Sequence, residues 1–200
     1  MFKKLGISSI VIAFLQVVLF PSNTFATLGI EDLAYTGGSE SIYHSVTDDM
    51  LLNADKDPND WLHYGRDYEG TRYSPLTQIN KDNINNLVPK WNLSLGIIGA
   101  QDSQVVAVRG RLYVTTSHNK LYALDGETGK ILWKYERALP GDLGPKLCCG
   151  AVNRGAAVYK NTVFMATLDT HMMAFDSTTG KILWDKKLGD YKTGEILTSM

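Results

Sequence analysis

Short runs of alternating apolar and polar residues, separated by turns, dominate the second half of the chain. Residues 111–116 and 120–124 alternate in this way, and residues 130–135 follow a tight turn at 125–129. Alternation with a period of two is typical of half-buried β-strands, and Asp and Gly within the turn favour a hairpin. The pattern therefore predicts three short antiparallel strands.

The same pattern occurs a second time, 51 residues further along the chain. Both copies contain the sequence Ala-x-Asp-x-x-Thr-Gly-Lys-x-x-Trp, which ends at Trp133 in the first copy and at Trp184 in the second. One buried Trp per unit, each covering about 150–250 Å², would hold neighbouring sheets together. We expect Trp91 to close an earlier, degenerate unit. Repeated four-stranded sheets of about 40–50 residues predict an all-β protein, a β-propeller.

Two or three such units do not close a ring of blades. We therefore expect residues 60–200 to form only the first blades of an incomplete propeller. Ahead of the repeats, residues 90–95 place apolar side chains at alternate positions and predict one more half-buried strand.

The first 26 residues have the features of a secretory signal peptide. Lys3 and Lys4 precede an apolar run at residues 7–20, and a small-residue cleavage site ends at Ala26. The apolar run is shorter than the roughly 20 residues of a membrane span. We expect cleavage after Ala26, a periplasmic protein and no stable membrane span. Residues 27–59 are polar and predict a solvated N-terminal arm with a short helix near residues 48–53.

The formal net charge is only -1, with the two signs interspersed, so the sequence offers no field that would attract nucleic acid. The chain has two cysteines, Cys148 and Cys149, which are adjacent. Neighbouring Cα atoms are about 3.8 Å apart, below the usual disulfide range of roughly 4.4–6.8 Å, so a bond between them would be strained. Two reduced buried thiols, or pairing with cysteines elsewhere, are the alternatives, although an exported chain offers each cysteine only the other as an internal partner.

Three stretches of the chain resemble the pyrroloquinoline quinone (PQQ) dehydrogenases, which are eight-bladed propellers. The Trp-terminated repeat is similar to that family's tryptophan-docking motif. Residues 60–91 resemble its N-terminal signature, with Ile84 where Val is usual. The sequence Cys-Cys-x-x-Val-Asn-Arg-Gly at residues 148–155 is similar to the vicinal disulfide segment of the alcohol-oxidising branch.

The resemblance implies a set of cofactor-binding residues. A Cys148–Cys149 disulfide would cover one face of the flat PQQ ring. Arg154 would present its guanidinium fork to a carboxylate or quinone oxygen, a geometry that suits Arg. Thr198 falls where relatives bind the cofactor with a Thr hydroxyl, and Asp102 falls where ethanol-oxidising relatives carry Glu.

The resemblance also implies the activity of a periplasmic quinoprotein that oxidises a small primary alcohol to an aldehyde by hydride transfer to PQQ. Cytochrome c would accept the electrons, and Ca²⁺ or a lanthanide would polarise the quinone. The metal ligands and the catalytic base are expected beyond Met200, so this part alone should be inactive. Two alternatives are a non-catalytic periplasmic scaffold of the outer-membrane assembly type and a quinoprotein sugar dehydrogenase, which generally lacks the adjacent cysteines.

Overall fold

A computed structural model of the chain describes residues 45–199. The predicted signal peptide at 1–26 and the first part of the arm lie outside the described residues. The rest is built around two four-stranded antiparallel sheets, each a simple meander in chain order. The first sheet contains β1 (Val106–Val108), β2 (Arg111–Thr116), β3 (Lys120–Asp125) and β4 (Ile131–Glu136). The second contains β5 (Ala157–Tyr159), β6 (Thr162–Ala166), β7 (His171–Asp176) and β8 (Ile182–Lys187).

These sheets confirm the strands predicted in each repeat and add one short strand ahead of each trio. The two sheets share the same irregularity in strand pairing. The pairing of the third and fourth strands shifts between Ala123 and Leu124 in one sheet, and between Ala174 and Phe175 in the other. A bulge of this kind bends the strand and redirects the side chains that follow it. It lies next to the Trp of each repeat.

The turn between the third and fourth strands is fixed by the Asp of the repeat. The Asp125 carboxylate accepts hydrogen bonds from the backbone N–H of Thr128 at 2.8 Å and from its hydroxyl at 2.7 Å. The hydroxyl bond of Thr128 is the main reason that the pKa of Asp125 lies below its usual value. Asp176 makes the same two bonds to Thr179. The repeat therefore specifies its own turn through contacts between near neighbours in sequence.

Two of the Trp residues pack on the turn of the next unit. The indole N–H of Trp133 donates to the carbonyl of Ser177 at 2.9 Å, and its ring lies directly against Gly180. Trp91 makes the equivalent contacts with Gly126, at 3.0 Å, and with Gly129. The prediction that the Trp residues hold neighbouring units together is confirmed for these two.

The prediction of a strand at residues 90–95 is wrong. Burial does alternate there, with Trp91, Leu93 and Leu95 less exposed than their neighbours. Within residues 45–199, however, no strand pairs with this segment, and an extended segment without a hydrogen-bonded partner is not a β-strand. The alternation here reflects the partial burial of every second side chain, not strand pairing.

We expect Gly180→Ala to lower the free energy of unfolding by about 2–3 kcal/mol, because two effects add. An added Cβ would lie 2.7 Å from the Trp133 ring, and Gly180 has a φ of +71°, which disfavours Ala. Gly141→Ala is the matched control, because a Cβ there meets nothing within 4 Å. Urea unfolding measures both changes. Equal stability of the two variants would contradict the close packing of Trp133 on Gly180.

The described part of the arm is partly buried, which corrects the prediction of a solvated arm. The predicted helix is present as α1 (Asp48–Leu52), and the Thr47 side chain caps its N-terminus. Just before it, Val46 is fully buried and exchanges two backbone hydrogen bonds with Lys160, at the end of β5. Val46 and Ala54 both join the core, since they cover apolar surface of the sheets. None of the helices in residues 45–199 has the length and apolar character needed to cross a membrane.

A cluster of charged side chains joins the two sheets. Arg137, directly after β4, shares its single Nε–H between the two Asp169 carboxylate oxygens, both 2.9 Å away, and donates a further bond of 2.7 Å from a terminal nitrogen. It also donates to Asp185 of β8 at 2.9 Å. His171 lies against the same two carboxylates. Burial alone would raise the pKa of Asp169, but the bonds from Arg137 and Thr167 outweigh it and lower that pKa.

Candidate cofactor site

All five predicted cofactor residues lie in segments found at one end of the two sheets. The start of β1, the β2–β3 turn and the connection from β4 to β5 share this end, because consecutive antiparallel strands reverse direction. The pairing of Val106 with Tyr113, and of Val108 with Arg111, fixes the start of β1 next to the end of β2. The Asp125 and Asp176 turns lie at the opposite end.

Backbone hydrogen bonds join three successive segments at this end. The carbonyl of Arg154 accepts from the N–H of Gln104 at 3.0 Å, and the N–H of Arg154 donates to the carbonyl of Thr198 at 2.6 Å. Gln104 and Gly155 form a parallel bridge. Arg154 therefore lies between the segment that leads into β1 and the segment that carries Thr198. The structure brings these two predicted residues into direct contact, although 44 residues separate them in the sequence.

Two other predicted residues influence the pKa of the Cys149 thiol. That pKa is raised, first by a hydrogen bond with Cys148 and by the charge of that neighbour, then by burial, and least by the Asp102 carboxylate. The Arg154 guanidinium acts in the opposite direction. Asp102, the cysteine pair and Arg154 lie in segments at this same end of the sheets, and their part in cofactor binding remains a prediction.

Cys148 and Cys149 are both free thiols in this structure, and both are exposed. The predicted disulfide is therefore not formed here, and the alternative of buried thiols does not apply either. Formation of the strained ring remains a prediction. Because both sulfurs are exposed, the pair is accessible to oxidation from solvent.

A layer of buried polar side chains contacts the loop at residues 151–153, and the sequence did not predict it. Ser103 and Thr115 exchange a hydroxyl hydrogen bond of 3.0 Å, and the Thr115 hydroxyl donates to the carbonyl of Asn153 at 3.3 Å. Asn153 and Asn119 are both completely buried, and their side chains are bonded to each other at 3.1 Å. The N–H of His118 holds the loop at Ala151 with a bond of 2.8 Å. Asn153 stood within the quoted motif, but nothing in the sequence showed that it is buried.

Several groups at this end suit a flat anion. A half-buried Arg154, the Thr198 segment and two sulfurs offer a planar cation, a hydroxyl and a polarisable surface. Arg binds carboxylates through paired hydrogen bonds, which fits a flat tricarboxylate such as PQQ. Within residues 45–199 no three His, Cys, Asp or Glu side chains come together in a way that would hold a metal.

Comparison with known proteins supports the resemblance to the PQQ dehydrogenases. Residues 61–185 match the family model described as "PQQ: Glucose/ethanol/alcohol dehydrogenase, beta-propeller domain". The chain is 44% identical over 155 residues to the 1-butanol dehydrogenase (quinone) of Thauera butanivorans, covering 76% of this chain and 25% of that enzyme.

Two solved structures are also similar. The quinohemoprotein alcohol dehydrogenase ADHIIG of Pseudomonas putida HK5 superposes with a TM-score of 0.74 at 34% identity, covering 79% of this chain and 23% of that one. A europium-containing methanol dehydrogenase gives 0.71 at 35% identity, covering 76% and 27%. The chain thus spans about a quarter of the length of each of these three proteins.

The family model covers more than half of the chain, and it includes both sheets up to Asp185 in β8. The β-propeller predicted from the repeat is confirmed by this match, and the two sheets are two of its blades. On this evidence the chain belongs to the PQQ family of glucose, ethanol and alcohol dehydrogenase β-propeller domains.

Proposed function

We propose that this chain forms part of a periplasmic quinoprotein that oxidises a small primary alcohol to an aldehyde with PQQ as cofactor. The observation that carries the proposal is that the segments holding Asp102, Cys148, Cys149, Arg154 and Thr198 lie at one end of the blades, where backbone hydrogen bonds link Arg154 to Gln104 and Thr198. The relatives that support it are a 1-butanol dehydrogenase (quinone) and a quinohemoprotein alcohol dehydrogenase. Export with cleavage after Ala26 would deliver the protein to the periplasm.

Each residue has a role that follows from its chemistry. The guanidinium of Arg154 binds a carboxylate or quinone oxygen, and charge-assisted hydrogen bonds of this kind are among the stronger ones in proteins. The Thr198 hydroxyl adds a hydrogen bond from the neighbouring segment. Asp102 makes a further polar contact, directly or through water. The Cys148–Cys149 pair, once oxidised, covers one face of the ring.

PQQ, when bound, supplies a quinone that takes up hydride from the alcohol carbon. We propose that Ca²⁺ or a lanthanide accompanies it, since one similar structure is a europium-containing methanol dehydrogenase. The metal ligands and the catalytic base are proposed to lie beyond Met200. Cytochrome c is the proposed electron acceptor.

The test is to express the complete reading frame, add PQQ with Ca²⁺ or with a lanthanide, and measure dye reduction with primary alcohols. We expect turnover with one metal class, and we expect Arg154→Gln to weaken PQQ binding about tenfold or more, because a charge-assisted bond is lost. Thr128→Ala is the control, because its contacts are confined to the Asp125 turn at the opposite end of the sheet.

Two outcomes would contradict this proposal. Bound PQQ without turnover in the presence of either metal class would favour the scaffold alternative. An Arg154→Gln variant that binds PQQ as tightly as the wild type would show that the cofactor does not occupy this end of the blades.

A further inference from the structure

Asn153 makes every hydrogen bond that its side-chain nitrogen can donate. Nδ2 donates to Oδ1 of Asn119 at 3.1 Å and to the carbonyl of Ala166 at 2.8 Å. Oδ1 accepts from the backbone N–H of Gly155 at 3.3 Å. Asn119 belongs to the first blade and Ala166 to β6 of the second. Because the side chain is completely buried, loss of any of these bonds would leave a polar group without water to replace it.

The bond from Asn153 to Gly155 spans a single residue, Arg154. A side-chain oxygen that accepts from the N–H two residues ahead forms an Asx turn, which fixes the conformation of the residue between them. Gly155 has a φ of +146°, and a Cβ there would lie 3.2 Å from the Gln104 carbonyl. Both backbone groups of Arg154 are also bonded, to Gln104 and to Thr198. The backbone from which the Arg154 side chain extends is therefore fixed by hydrogen bonds at both its N–H and its carbonyl.

We propose that Asn153 is a positioning residue, whose side chain holds the turn that fixes the direction of the Arg154 guanidinium, the group that the proposed function assigns to the cofactor. The part of this inference that concerns the cofactor rests on the proposed function. The hydrogen bonds that hold the turn do not depend on any cofactor. Asn153 itself is completely buried, so it would act on a bound cofactor through Arg154.

Two measurements test the proposal in the complete protein. The first is the affinity for PQQ, followed by titration of the cofactor-free protein. The second is the rate at which Cys149 reacts with iodoacetamide in cofactor-free, reduced protein carrying Cys148→Ser. Arg154 lowers the pKa of the Cys149 thiol, so displacement of Arg154 raises that pKa and leaves less of the reactive thiolate.

We expect Asn153→Ala to slow the alkylation of Cys149 about twofold at pH 8 and to weaken PQQ binding at least about threefold. Arg154→Gln should move both readouts in the same directions. Thr128→Ala, at the opposite end of the blade, should move neither. Asn153→Ser keeps an oxygen that can accept from the Gly155 N–H, and it should restore part of both. If Asn153→Ala does not fold, Asn153→Ser carries the comparison.

A folded Asn153→Ala with wild-type alkylation rate and wild-type PQQ affinity, while Arg154→Gln alters both, would overturn the proposal. Asn153 would then be a structural residue only. If the wild type binds no PQQ, the proposed function fails, and the alkylation rates alone decide on Asn153. Slower alkylation in both variants would still support positioning, and an unchanged rate in Asn153→Ala would overturn it.

Discussion

Trp133→Ala should lower the free energy of unfolding by about 3–5 kcal/mol, in the range seen for large aromatic side chains removed from a core. Trp133 is only 8% exposed and packs against the rings of Tyr113 and Phe175, with centroids 6.0 and 6.3 Å away. Tyr113 belongs to the first blade and Phe175 to the second. The substitution would therefore leave a cavity between two blades, and it would also remove the indole hydrogen bond to Ser177.

Urea unfolding of the complete protein measures this loss, and two other substitutions separate its causes. Trp133→Phe keeps most of the ring but loses the N–H. Since the Ser177 carbonyl also accepts from Arg111 at 2.8 Å and from Tyr113 at 3.2 Å, this change should cost about 1 kcal/mol or less. Trp91→Ala should cost less than Trp133→Ala, because Trp91 is only partly buried. A loss under about 1 kcal/mol for Trp133→Ala would contradict its role between the blades.

Arg137→Met should destabilise the protein by about 3–5 kcal/mol near neutral pH, because it removes the charged partner that bonds the buried Asp169 carboxylate directly. The Thr167 bond and His171, 4.0 Å away, would then remain beside that carboxylate. The side chains of Arg137 and Asp169 are 12% and 8% exposed, so water compensates little for the lost bonds. Asp169 lies in the β6–β7 turn, and Asp185 is the second carboxylate that Arg137 contacts. The variant would loosen the contact between the blades at this point.

The size of this effect should depend on pH. In the wild type the folded pKa of Asp169 lies below its usual value, so its stabilising contribution is present above about pH 4 and is lost as the pH falls through the folded pKa. Without Arg137, burial raises that pKa, and acid then relieves the unpaired charge. The stability difference between wild type and variant should therefore shrink below about pH 4.

Lys90→Met is the matched control for this experiment. It removes an ion pair with Glu127 whose side chains are 70% and 77% exposed, and such surface pairs contribute little. Urea unfolding at pH 7 and at pH 3.5 should show almost no change for this variant. A loss for Arg137→Met that is equally small, or that does not shrink in acid, would show that the Arg137 cluster is a surface feature.

Contacts between near neighbours account for what the sequence predicted about the fold. The Asp125 turn is closed by Thr128 and Gly129, all within five residues, so its hydrogen bonds can be inferred from spacing alone. The strands around the turn follow from the alternation of apolar and polar residues. The repeat then predicts the same turn and strands a second time. The segment at residues 90–95 shows the limit of this reasoning, because pairing needs a partner that alternation does not identify.

The residues of the candidate site could be named from a motif, but their arrangement could not. Thr198 and Arg154 meet through a backbone hydrogen bond between distant segments. Asn153 is unremarkable as a residue type, and only its burial and its three partners reveal what it holds. The burial of Val46 beside the end of β5 likewise could not be predicted from the polar sequence of the arm.

The sequence by itself determined the repeat, the turn within each repeat, the Trp residues that join the blades and the candidate cofactor residues. Only the tertiary structure decided that Arg154 lies between Gln104 and Thr198, and that a buried Asn supports the turn around it. The physical reason is the distance along the sequence between the residues that interact. Turns and alternating strands depend on neighbours within a few residues, whereas burial and long-range hydrogen bonds depend on which segments meet once the chain has folded.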